Sequence, residues 1–112
     1  MTVRAVHQGD RSVRALTVVS HPAVLAVNQA PYRELARLGW RVTVVVPATW
    51  RSDLNHEIIR PTPLDGLGCD LEVVPIYRPG SIILHAYHHR ALRSALVRSR
   101  AHVVYVEEVD VY

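Results

Sequence analysis

The chain has 112 residues, 49% of them hydrophobic and 21% charged, with a formal net charge of +3. That size allows one small domain with a modest core. A single cysteine excludes a disulfide framework, and no apolar run approaches the roughly 18 residues of a membrane span.

Residues 1–14 are polar and aperiodic and read as a loose leader, without the apolar core of a secretory signal. Residues 15–112 read as one folded unit. The plain location for such a chain is the cytoplasm. All 13 basic side chains are arginine, which GC-rich coding explains. The positive charge permits peripheral contact with an anionic membrane. The arginines are dispersed along the sequence, so no nucleic-acid partner is expected.

In chain order, Leu16-Thr-Val-Val-Ser20 is a β-branched run closed by His21-Pro22 and predicts a buried strand. A loop follows, in which Asn28 is placed to cap a helix over Pro31–Leu38, with Pro31 in its first turn and Gly39 at its end. Trp40–Val46 is a second strand, closed by Pro47. Strand, helix and strand fit in about thirty residues, the size of a parallel crossover unit. Residues 48–70 read as an excursion loop with a helical turn near Leu54–Ile59. Leu71–Ile76 is a third strand, which Pro75 assigns to an edge or cuts short. The period turns helical from Leu84 to Arg100, and His102–Glu107 is the last strand. The predicted fold is α/β: an open parallel sheet of about four strands with helices on its faces.

Ligands of open α/β sheets bind outside the carboxyl ends of the strands. Ser20 and His21 stand at the end of the first strand, Asn28 and Gln29 at the helix mouth, and Glu107 and Glu108 at the end of the last strand. Adjacent carboxylates on a strand point to opposite faces, so one of the two faces a given cleft. The first loop has neither a G-x-G-x-x-G nor a Walker lysine. His85-Ala-Tyr-His-His89 offers His85 with His88 or His89 at the spacing of one helix face. One of these imidazoles is a candidate for proton transfer. A zinc site would need a further ligand such as Glu107, and no metal is assigned. Cys69, in a Gly-rich turn, reads as structural.

Three runs together carry a resemblance: Leu16–Ala23, Gln29–Ala36 and Gly39–Ala48 with Trp50 close behind. With Gly80 through His85-Ala-Tyr-His-His-Arg90, the helix, and Val103-Val-Tyr-Val-Glu-Glu108, the chain resembles the amino-terminal domain of family 4 glycosyltransferases over roughly residues 16–108. The resemblance implies half of a GT-B enzyme, two Rossmann-like domains across a cleft. It implies a sugar, lipid or other small-molecule acceptor bound by Ser20, His21, Asn28, Glu107 and Glu108. It also implies a nucleotide-sugar donor held by a second domain, with no cofactor in this chain. The sequence departs from the family pattern after Glu108, where only Val109–Tyr112 follow, and it contains no E-x₇-E. The expectation is therefore a truncated half enzyme, inactive alone, with an uncovered sheet prone to self-association. The alternative is a stand-alone flavodoxin-like binding or regulatory module.

Overall fold

The computed structural model describes residues 14–52, 54–80 and 86–107. In chain order it comprises β1 (Arg14–Ser20), two short 3₁₀ turns (Pro22–Val24 and Ala26–Gln29), α1 (Ala30–Arg37), β2 (Trp40–Pro47), β3 (Trp50–Arg51), β4 (Ile58–Ile59), β5 (Asp70–Val74), β6 (Ile76–Tyr77), β7 (Ala86–Tyr87), α2 (His89–Ser99) and β8 (Val103–Glu107). β1 takes in Arg14, which the sequence assigned to the leader. Arg14 pairs in register with Trp40, and its guanidinium lies 5.7 Å from the centre of that indole ring.

The main sheet has the order β5-β2-β1-β8, parallel throughout. Counting only these strands in chain order, the arrangement is 3-2-1-4, the Rossmann half-fold. A flavodoxin-like sheet would place its third strand beside the first. The strand order is therefore the Rossmann one and not the flavodoxin-like one. β5 is an edge strand, as Pro75 implied, because proline cannot donate to a further neighbour.

Helices cover both faces of the sheet. On one, Val18, Val42, Val44 and Val46 pack with Ala23, Val24, Tyr32 and Trp50, and Leu35 of α1 closes over them. On the other, Val19, Val45 and Val74 meet Ala95, with Ala91, Leu92 and Leu96 of α2. This double cover explains why β2 is buried continuously from Val42 to Pro47 instead of alternating. Each fully buried valine contributes roughly 1.5–3 kcal/mol of burial. Thr17, buried among these apolar residues, is satisfied by donating to Ser99 Oγ (2.7 Å), which donates in turn to Leu96 O (2.7 Å). This relay ties the end of α2 to β1.

Three local expectations are corrected. Asn28 does not cap α1: the residue before the helix is Gln29, which makes no side-chain cap, and Asn28 Nδ2 donates to Pro22 O instead (2.8 Å). The helical turn near Leu54–Ile59 is replaced by the antiparallel pair β3–β4, in which Trp50 faces Ile59. Ser52 and Glu57 close it, with Ser52 N donating to Glu57 O (2.9 Å). The helix expected from Leu84 starts at His89, because the backbone of Ala86–Tyr87 is committed to β6 in a second antiparallel pair. Gly80, at φ +99°, lies against Arg51; an added Cβ would fall 2.6 Å from the Arg51 Cβ. Only glycine lets that turn dock on the β3–β4 hairpin.

Among the described residues, no helix is long and apolar enough to cross a membrane.

Candidate functional site at the carboxyl edge of the sheet

The order of the sheet reverses at β1: β2 and β5 extend to one side and β8 lies on the other. The crevice of such a sheet opens at this switch point, beyond the carboxyl ends of the two diverging strands. Ser20 and Glu107 are register partners there, the last residues of β1 and β8.

Their side chains meet. Ser20 Oγ donates to Glu107 Oε1 (2.9 Å) while accepting from Ala23 N (3.3 Å). The hydroxyl thus joins the first 3₁₀ turn to the end of β8. Tyr32, from α1, donates its phenol to the same Glu107 oxygen at 2.6 Å. A bond of that length to an ionised acceptor is of the strong, charge-assisted kind. Burial, first, then the hydrogen bond and negative charge of Glu107, with a smaller contribution from Tyr105, push the Tyr32 phenol well above its ordinary range. It therefore stays protonated and remains a donor. Glu107 Oε2 takes no hydrogen bond from the described residues. Among the described residues, a half-buried carboxylate is thus fixed by two hydroxyls through one oxygen, with no donor on the other. Sugar and polyol hydroxyls are donors of that type.

Beside this cluster, His21 is only 4% exposed, and its ring stacks on Trp50 with centroids 4.3 Å apart. Gln29 is fully buried and acts as a clamp: Nε2 donates to Ala23 O (2.7 Å) and Thr62 O (2.9 Å), and Oε1 accepts from Leu64 N (2.8 Å). It fastens Thr62 and Leu64 of the excursion loop to the turn that follows Ser20. Cys69 Sγ contacts Tyr32 O and Leu67 O, both at 3.4 Å. Burial, with the charge of Asp70, raises its thiol to about 11, which fits the structural role expected of it.

The structure thus brings Ser20, His21 and Glu107 to one edge. Asn28 is exposed and spent on the Pro22 carbonyl. Glu108 and His85 lie outside the described residues. His88 stacks on Tyr77 (4.2 Å) at the start of α2 and donates its backbone N–H to Pro75 O (3.0 Å). His89 is the exposed first residue of α2. Strand β7 precedes them, and α2 begins only at His89. Pro75 follows β5, three strand spacings from β8, or about 14 Å. Among the described residues no group of three or more His, Cys, Asp or Glu side chains could hold a metal ion. Sequence reading gave Tyr32 no role in the site. The available signal was that a buried tyrosine needs a partner for its hydroxyl.

These features define a Rossmann-like open α/β unit with an acid–hydroxyl cluster at its switch point. No protein family, curated protein or solved structure matches the chain.

Proposed function

We propose that this chain forms the acceptor side of a glycosyltransferase of GT-B architecture, holding a hydroxyl-bearing acceptor that receives a sugar from a nucleotide-sugar donor. The observation that supports this reading most directly is the Ser20–Glu107–Tyr32 cluster at the switch point. The sequence resemblance agrees with it in fold and in the position of the carboxylate. In this reading Glu107 Oε2 accepts a hydrogen bond from the acceptor. Ser20 and Tyr32 hold the carboxylate so that the reacting hydroxyl is presented in one orientation, which lowers the entropic barrier to transfer. The acceptor oxygen then bonds to the sugar carbon as the bond from that carbon to the nucleoside diphosphate breaks, its proton passes to the leaving diphosphate oxygen, and the remaining charge on the phosphates is met by residues of the donor side.

The test is ligand titration by saturation-transfer NMR against free sugars, glycosides and polyols, with nucleotide sugars in a parallel arm. A hydroxyl-rich ligand should saturate the protein, and Glu107→Gln should weaken it by about tenfold, the loss of one charge-assisted bond. Undiminished binding in the variant would overturn the assignment. So would micromolar binding of a nucleotide sugar alone, which would make this the donor side.

A further inference from the structure

Four of the 13 arginines, Arg90, Arg93, Arg98 and Arg100, belong to α2 or its cap, and the fold adds Arg41 at the helix end. Ala91, Leu92, Ala95 and Leu96 turn inward onto the sheet. His89, Arg90, Arg93, Ser94, Val97 and Arg98 are exposed. The helix carries no carboxylate and closes on Arg100. Arg41, at the start of β2, donates to the carbonyls of Ser99 (3.4 Å) and Arg100 (3.2 Å), adding a further guanidinium at the helix end. The one ion pair that α2 makes among the described residues is Arg98 with Glu72. Five arginines therefore meet a single paired acid. Val97, 67% exposed, sits among them, and Arg93, Ser94, Val97 and Arg98 line a shallow depression of about 390 Å³.

We propose that the outer face of α2 docks on an anionic lipid bilayer, with the helix lying along the surface. Guanidinium groups pair bidentately with lipid phosphates. Val97 suits the apolar boundary between headgroups, towards which the arginine stems lean while their charged ends reach the phosphates. A nucleic-acid backbone has no use for an exposed valine at the centre of its contact. The helix also has no Tyr, Trp or Phe on which a base would stack. The proposal is independent of the acceptor reading. Tyr32 of the acid–hydroxyl cluster belongs to α1, on the opposite face of the sheet, so a bilayer against α2 leaves that cluster uncovered.

The experiment is flotation of the full 112-residue chain with neutral phosphatidylcholine vesicles and with vesicles containing about one third phosphatidylglycerol. Binding should require the anionic lipid and fall as salt shortens the screening length. Each arginine at the surface raises partitioning about fivefold, so the pair Arg90→Gln and Arg93→Gln should lose about 25-fold. Arg33→Gln with Arg37→Gln on α1 removes the same charge from the other face and should leave binding within about twofold. Ser94→Glu, at an exposed position, should act in the same direction as the α2 pair without removing any arginine. Circular dichroism confirms that each variant is folded. Equal loss from both arginine pairs would overturn the proposal, as would equal binding to neutral vesicles. Binding of a mixed-sequence oligonucleotide without vesicle binding would assign the face to nucleic acid instead.

Discussion

Gln29→Ala should unfasten the excursion loop, and the size of the effect follows from its three hydrogen bonds. The contact to Ala23 O is buried, whereas those to Thr62 O and Leu64 N are partly reachable by water. A stranded buried acceptor costs about 1–3 kcal/mol, and each ordinary hydrogen bond contributes about 0.5–1.5 kcal/mol. The expected loss is about 3–5 kcal/mol out of the roughly 5–15 kcal/mol that holds a small domain folded. Urea unfolding followed by tryptophan fluorescence measures it, since Trp50 stacks on His21 beside the clamp. With a slope of about 1–3 kcal/mol/M, the midpoint should fall by about 2 M. Gln29→Glu separates the clamp from simple volume: it keeps an acceptor for Leu64 N but sets a carboxylate against two carbonyl oxygens. Burial raises that carboxyl in the folded state. The variant should therefore be most stable below the ordinary glutamate range, about pH 4.3, and lose stability as pH rises. A loss under about 1 kcal/mol for Gln29→Ala would refute the idea that this amide anchors the loop.

Three further outcomes are expected. Tyr32→Phe removes the donor to Glu107 and should cost about 1–2 kcal/mol in the same urea assay. In the unmodified chain, absorbance titration should show one phenol resisting ionisation. Because its folded value lies above the ordinary 10.0, stability should be complete below about pH 10 and decline above it. Cys69, raised from 9.0 to about 11, should react with a thiol reagent at pH 8 about a hundredfold more slowly than in the urea-unfolded chain, where the thiol is about one-tenth thiolate. A rate equal to that of the unfolded chain would mean that the thiol is open to solvent.

The local sequence determined the strands almost residue by residue. Leu16–Ser20, Val42–Val46, Leu71–Val74 and Val103–Val106 all fall in the parallel sheet, because β-branched runs bounded by proline, glycine and histidine have few other ways to bury themselves. The carboxyl-edge position of Ser20 and Glu107 followed from strand direction alone. The β3–β4 pair was hidden because a two-residue strand carries no period to read. Ala86–Tyr87 joined the helical pattern for the same reason, and only pairing with β6 pulls it out. Strand order had to come from tertiary structure, since the same strand–helix alternation serves Rossmann and flavodoxin-like sheets alike. So did the site's chemistry: Tyr32 and Glu107 are 75 residues apart in sequence, and nothing local marks one as the partner of the other. The outward arginines of α2 were legible from its period, with Arg90, Arg93, Arg98 and Arg100 off the apolar positions; only Arg41, brought to the helix end from β2, had to come from the folded surface.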